Sequence, residues 1–261
     1  MTPAALSQQV KALEDRLGLP LFHRLPRGLS LTDEGQAMLP VLRRAFDDIA
    51  ATLERLTGSS AAILSVGAVG TFAVAWLLPR LDSFRAAHPQ IDVRVSTNNN
   101  RVDIAEEGLD FAIRFGDGAW HGTEAERIMA APVTPLCAPK VAVRLQAPED
   151  LLGETLLRSY RIDDWATWFA AAGCQAPVLR GPMFDSSRLM ADAAIQGLGV
   201  ALAPPFLFAA ELAECCLIQP FATTADIGAY WLTRLKSKPL SPEMTAFRDW
   251  LMREAERLEF R

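Results

Sequence analysis

The chain is poor in the residues that build metal or redox centres. Its 261 residues include four cysteines and three histidines. Cys137, Cys174, Cys215 and Cys216 form no C-x-x-C pair, and no histidine lies at zinc-ligand spacing, so neither a metal site nor a metal cofactor is expected. Reduced thiols are the expectation, with buried cysteine acting as a small hydrophobe. No run approaches the roughly 18 apolar residues of a membrane span, and no basic segment followed by a long apolar stretch opens the chain. A cytoplasmic protein without membrane contact is therefore expected. Also absent are G-x-S-x-G, a Walker glycine loop, G-x-G-x-x-G and any recognisable Ser/His/Asp set, so the chain does not read as an enzyme.

Excess positive charge is lacking too. Lys and Arg number 26 against 31 Asp and Glu, a net charge of −5, so any nucleic-acid binding has to be local. The deficit is uneven: residues 1–60 are neutral, and the acidic balance belongs to residues 61–261. What the chain does have is ordinary globular composition, with 50% hydrophobic residues, enough for more than one core.

Thr2-Pro3 reads as an N-cap with proline at the first helical position. Leu6, Val10, Leu13 and Leu17 then recur at helical spacing until Gly18. Away from that stripe lie Ser7, Gln8 and Lys11, suited to phosphate and base-edge contacts, although an exposed polar face is also what any solvated helix presents. Two short extended runs follow about Pro26-Arg27-Gly28, with Arg24 and Arg27 at the turn. A basic hairpin after a polar helix is the layout of a winged helix, and its arginines can reach phosphates or simply solubilise a turn. Residues 1–32 form this partial winged helix-turn-helix.

Thr32 is expected to cap a second helix, residues 33–58, with Asp33 and Glu34 in its first turn. Leu39, Leu42, Phe46, Ile49, Leu53 and Leu56 follow at spacings of 3, 4, 3, 4 and 3. This is a heptad seam able to pair two chains, or else the buried stripe of an amphipathic helix. Pro40 is expected to bend the helix near its start. Thr57-Gly58-Ser59-Ser60 reads as a linker.

Residues 61–261 read as a two-lobed α/β domain, with one lobe near 61–134 and 224–261 and the other near 135–223. Ile63 to Val66 is a strand leading through glycines to a helix capped by Thr71, and its stripe runs Trp76, Leu77, Leu81, Phe84. Free N–H groups at such a helix start favour an anion, though any βα turn looks alike. Ile91–Thr97, a short helix over Arg101–Glu107 and the strand Asp110–Gly116 continue the alternation, which predicts a mainly parallel sheet. Asp103 near that helix start is either a dipole-stabilising carboxylate or a ligand contact. Pro132, Pro135 and Pro139 mark a crossover. Helices around Leu151–Leu156 and Trp165–Ala172 and a strand at Met183–Asp185 follow, and Ser186-Ser187 opens another helix that ends at Gly197 or Gly199. Val200–Ala203 and Ala229–Arg234 are strands, and Pro242–Leu258 is a closing helix. Two helix starts facing each other across a cleft, at Thr71 and Ser186, are the expected binding site.

Several stretches carry a resemblance. They include Thr2 to Gly18, Leu21-Phe22-His23-Arg24, Leu31-Thr32-Asp33-Glu34-Gly35 and Val66-Gly67-Ala68-Val69-Gly70-Thr71-Phe72. Further along are Asn99-Asn100-Arg101-Val102-Asp103, Phe184-Asp185-Ser186-Ser187 and Tyr230-Trp231-Leu232-Thr233-Arg234-Leu235. Together they resemble LysR-type transcriptional regulators, within them the AmpR-like branch that controls chromosomal β-lactamase genes. The resemblance implies a winged helix-turn-helix on operator DNA, with Thr2, Ser7, Gln8, Lys11, Arg24 and Arg27 as contacts. It also implies a linker helix pairing subunits into a homodimer or tetramer, and a type 2 periplasmic-binding-protein-like effector domain. Its effector is implied to be a peptidoglycan-derived muropeptide: UDP-linked precursors favour repression and anhydro-muropeptides activation. The family's effector positions fall on Gly70, Thr71, Asp103, Ser186 or Ser187, and Tyr230. Family members begin with further helices before the residues matching Thr2, so the resemblance implies an N-terminally truncated chain. The alternative is a solute-binding module without DNA binding.

Overall fold

The computed structural model describes residues 3–25, 28–57, 62–98 and 102–259, and the chain divides into two compact units, Met1–Ser60 and Ala61–Arg261. Thr2, Arg27 and the linker residues Gly58 to Ser60 lie outside the described residues, as do the side chains of Arg24, Pro40 and Leu56.

In the first unit, α1 (Pro3–Leu17) ends at Gly18, whose φ of 72° needs no Cβ to be accommodated. The antiparallel hairpin β1 (Phe22–Leu25) and β2 (Gly28–Leu31) follows, then α2 (Asp33–Thr57). Two side chains and a glycine lock the unit. Glu14 of α1 accepts the backbone N–H groups of Leu21 and Phe22 at 2.7 and 3.1 Å. Thr32 donates its hydroxyl to the Pro20 carbonyl at 2.8 Å and accepts the Gly35 N–H at 3.1 Å, which is the expected helix cap. Gly35 is required there: a Cβ would stand 2.3 Å from the Leu21 carbonyl oxygen.

The second unit is built on a five-stranded sheet ordered β4-β3-β5-β11-β6. Its first strand, β3 (Ala62–Val69), runs into α3 (Gly70–Phe72), a π-helical turn over Ala73–Leu77, and α4 (Leu78–Ala87). Then come β4 (Ile91–Asn98), β5 (Phe111–Gly116) and β6 (Thr123–Ala130). The second lobe comprises β7 (Thr134–Leu136), α5 (Pro139–Ala142), a 3-10 turn over Pro148–Gly153, β8 (Arg158–Ser159) and α6 (Asp164–Ala171). It continues through β9 (Met183–Phe184), α7 (Ser187–Ile195), β10 (Ala201–Ala203) and α8 (Ala209–Ala213). The chain returns along β11 (Ala229–Leu235) and ends in α9 (Pro242–Glu259).

Three expectations are corrected. The sheet is mixed: β3 is parallel to β4 and β5, but β11 runs antiparallel to β5 and β6, because the strand returning from the second lobe inserts between them. Edge strand β6 joins the sheet although Glu124, Glu126 and Arg127 mask its apolar alternation with charge. Residues 104–108 make one turn and no helix, as the segment is too short to repay helix nucleation and Gly108 stops it at φ 63°. The helix expected over Leu151–Leu156 is only the 3-10 turn ending at Gly153, and Leu156 instead bridges Val200.

The largest apolar cluster joins Leu64, Val66 and Ala68 of β3 to Phe72, Trp76 and Phe84 above them and to Phe247 and Leu251 of α9. Phe84 meets Phe247 edge-on at 5.4 Å and Trp250 at 5.2 Å. The same cluster reaches Met190 and Ala194 of α7 and Ala201 of β10, so it underlies both lobes. A second cluster fills the second lobe around Trp165, Trp168 and Phe169. The two passes between lobes lie side by side, where Val133 and Ala225 exchange backbone hydrogen bonds of 2.9 Å each way. Of the cysteines, Cys137 is buried as expected, while Cys215 and Cys216 are exposed. Among the described residues no helix is long and apolar enough to cross a membrane, and no group of metal-ligating side chains forms.

Candidate functional site

A cleft of about 350 Å³ opens in the second unit, lined from the sheet side by Gly70, Thr71, Thr97, Phe115 and Tyr230 and from the second lobe by Ser159, Arg161, Asp164, Asp185, Ser186 and Ser187. Its floor follows from topology. The sheet delivers β3 and the start of α3 to one wall, and β9 hands over to α7 at the other.

Ser186 is the N-cap of α7, and its hydroxyl accepts the Arg188 N–H at 3.2 Å. Thr71 departs from its expected role. The residue capping the helical segment is Val69, without a side-chain bond, and Thr71 sits one position inside the helix. Its hydroxyl oxygen accepts the same Arg188 N–H from the facing lobe at 2.9 Å. The two helix starts thus meet directly, and a Cβ on Gly70 would lie 4.0 Å from the Ser186 hydroxyl. The Thr71 hydroxyl proton has no acceptor among the described residues.

Tyr230 is only 3% exposed and is wedged between Phe72 and Phe115, with ring centroids 4.8 and 5.1 Å away. Burial pushes its phenol well above the ordinary tyrosine range, against a smaller opposing pull from Arg161. Its hydroxyl makes no hydrogen bond among the described residues while its side chain lines the cleft. Neutral at every physiological pH, it is a fixed donor and acceptor.

The sequence did not single out the charged pair of the cleft. Arg161 bonds Asp164 at 3.1 Å and the Ile227 carbonyl, and its Cζ lies over the Phe115 ring, 4.5 Å from the centroid. Asp164 also accepts the Ser159 hydroxyl at 3.0 Å. Burial raises the Asp164 carboxyl, while Arg161 and Ser159 hold it back. Arg161-x-x-Asp164 at i,i+3 was the available signal, but nothing in a short linear pattern separates it from a surface pair.

Asp103 is not brought to the cleft lining. It is exposed, and its carboxylate caps its own turn by accepting the N–H groups of Ala105 and Glu106 at 2.9 Å each. It also offsets the desolvation of buried Arg114. This is the geometry of a carboxylate that caps its own turn.

In the first unit, Ser7, Gln8 and Lys11 are all exposed on α1, and the apolar stripe leaves Leu13 and Leu17 exposed as well. On α2, Leu42, Phe46, Ile49 and Leu53 are exposed and Leu39 is half-buried. Phe46 at 67% exposure rules out a seam buried within the described part of this unit.

A hairpin-bearing helical unit followed by a two-lobed cleft domain is the architecture of a ligand-responsive transcriptional regulator. Residues 1–36 match the model of the bacterial regulatory helix-turn-helix protein of the lysR family, and residues 57–256 match the LysR substrate binding domain. The chain belongs to the LysR family of transcriptional regulators. It is 58% identical over 258 residues to the HTH-type transcriptional activator AmpR of Pseudomonas aeruginosa, covering 98% of this chain and 87% of that one. The solved effector domain of that regulator superposes with a TM-score of 0.73 over 75% of this chain and 96% of its own. A structure of the Citrobacter freundii effector binding domain is 45% identical, with a TM-score of 0.72 over 74% of this chain and 98% of its own. That domain contains three substitutions, a threonine to valine, a serine to alanine and a tyrosine to phenylalanine. Relatives of this kind are named as regulators, not as enzymes.

Proposed function

We propose that this LysR-family regulator reads a peptidoglycan-derived muropeptide in its inter-lobe cleft and controls a β-lactamase-type gene, acting in the cytoplasm as a homodimer on operator DNA. The observation that carries this reading is the meeting of Thr71 with the Ser186 cap and the Arg188 N–H beside the unbonded Tyr230 hydroxyl. Such a wall offers hydroxyl and amide donors to the carboxylate, phosphate and amide oxygens of a sugar-peptide. Similarity to AmpR regulators supports the choice of ligand, as does the presence in this cleft of the three residue types replaced in the Citrobacter freundii domain. Thr71, Gly70, Ser186, Ser187 and Tyr230 are the proposed effector residues, and Thr2, Ser7, Gln8, Lys11, Arg24 and Arg27 the proposed DNA contacts.

Because the cleft has walls from both lobes, a ligand touching both favours one lobe arrangement. Only such a difference in affinity between states can reach the operator. The test is calorimetric titration of UDP-N-acetylmuramoyl pentapeptide and an anhydro-muropeptide, followed by salt-dependent operator binding with and without each. Saturable binding of both and opposite effects on operator complexes are expected. Ligand binding with no operator binding at any salt concentration would leave a solute-binding module instead. Arg27→Ala is expected to weaken operator binding and reduce its salt dependence.

A further inference from the structure

Thr71, Ser186, Ser187 and Tyr230 are neutral hydroxyl groups, yet the ligand class proposed for this cleft is polyanionic. Among the described lining residues Arg161 is the one cation, facing two carboxylates, Asp164 and Asp185. A surface arginine at this position would be unremarkable. This one is held on three sides: Nε–H donates to Asp164 at 3.1 Å, one terminal nitrogen donates to the Ile227 carbonyl, and Cζ lies over the Phe115 ring, 4.5 Å from its centroid. Its side chain is 25% exposed.

Those contacts leave donors over. A guanidinium carries five N–H groups, and the other terminal nitrogen, Nη1, has no hydrogen bond in the structure. An ion held at Nε by a carboxylate and set beside a ring, with Nη1 unbonded in a cleft, has charge-assisted N–H donors in place for an oxyanion. The anchorage also spans the domain. Arg161 follows β8 of the second lobe, whereas Phe115 belongs to β5 of the sheet. An anion bound there therefore sits on a side chain that already touches both lobes.

Resting on the muropeptide reading of the cleft, we infer that Arg161 is its specificity-determining anion anchor, taking an oxyanion of the ligand on Nη1 of its guanidinium while Asp164 holds Nε. Two sources supply that chemistry, a stem-peptide carboxylate and a nucleotide diphosphate. Asp164 is a positioning residue: it fixes the guanidinium plane and meets no ligand.

The test is a cycle of ligand and protein changes on the full chain. Calorimetry compares an anhydromuramoyl tripeptide with its amidated form, and UDP-N-acetylmuramoyl pentapeptide with the same pentapeptide lacking the nucleotide. Each is titrated into wild type, Arg161→Lys and Arg161→Met. In wild type, removal of the anchored anion is expected to weaken binding at least tenfold. In Arg161→Met that difference is expected to shrink below threefold, with Arg161→Lys between the two. The pair that shows this coupling identifies the anion. Equal weakening of charged and uncharged ligands by Arg161→Met, or no weakening at all, overturns the anchor and leaves the cleft assignment standing. Failure of all four compounds to bind wild type overturns the cleft assignment and the anchor together. Thermal unfolding of both variants separates loss of fold from loss of the anchor: a folded Arg161→Met that has lost the charge preference supports the anchor, and one that keeps the wild-type preference overturns it.

Discussion

The hydroxyl oxygen of Thr71 accepts the backbone N–H of Arg188 at 2.9 Å across 117 positions of sequence. Arg188 in turn pairs its guanidinium with Asp192 and Glu211, so the start of α7 is fixed from three directions. The bond joins the β3-α3 turn to the second lobe, with the Ser186 hydroxyl on the same N–H.

Thr71→Val removes this acceptor with little change of volume. A hydrogen bond of this kind contributes about 1 kcal/mol, so muropeptide affinity is expected to fall about five- to tenfold, and Thr71→Ser is expected to restore most of it. Calorimetry with all three proteins checks this. Equal affinity for valine and threonine would show that the bond is irrelevant to the ligand.

Asp103→Ala is expected to leave muropeptide affinity within twofold of wild type, because its carboxylate caps residues 105 and 106. Its cost should appear as stability, a melting temperature lower by roughly 2–4 °C for a domain of this size. A tenfold affinity loss with unchanged melting would return Asp103 to the ligand site.

Tyr230→Phe tests the buried phenol through pH. Burial raises the folded-state pKa above the unfolded value near 10, so the unfolded chain loses its proton first and stability falls as pH climbs past about 10. Denaturant unfolding between pH 9 and 11.5 is expected to show a steeper decline for wild type than for Tyr230→Phe. Parallel profiles would mean that the ring is hydrated.

Burial pushes the Cys137 thiol up to about 11, whereas Cys215 and Cys216 are exposed. A disulfide reagent at pH 8 is expected to modify the exposed pair rapidly and Cys137 only after denaturation, as mapped by peptide mass spectrometry. Rapid native labelling of Cys137 would indicate that the second lobe opens readily.

Phe46→Asp places a charge in the middle of the exposed α2 stripe. The expected outcome in sedimentation equilibrium is at least a tenfold weaker dimer, with the cleft's ligand affinity unchanged. An unaltered dimer would move the interface off Leu42, Phe46 and Ile49.

Local chemistry was legible where the decisive partner is close in sequence. Gly18, Thr32 and Ser186 announce helix ends because a cap reads only the next few residues, and the structure has all three in those roles. The heptad spacing of Leu42 to Leu53 is likewise a property of one helix. The mixed sheet was not legible, since the direction of β11 depends on where a strand returns after a whole second lobe. Nor was Asp103: its residue type fits a ligand contact and a turn cap equally, and only the turn's geometry separates them.

Sequence alone therefore determined two units, a polar helix with a basic hairpin, an amphipathic α2 and a pair of helix starts, all written in short-range periodicity and capping. Tertiary structure decided what those helix starts do. It turned Thr71 from a cap into an inter-lobe acceptor, buried the Tyr230 ring while leaving its hydroxyl in the cleft, and set Arg161 against Phe115 and Ile227. Each depends on groups brought together from distant parts of the chain, where burial and desolvation give ordinary residues their particular strength.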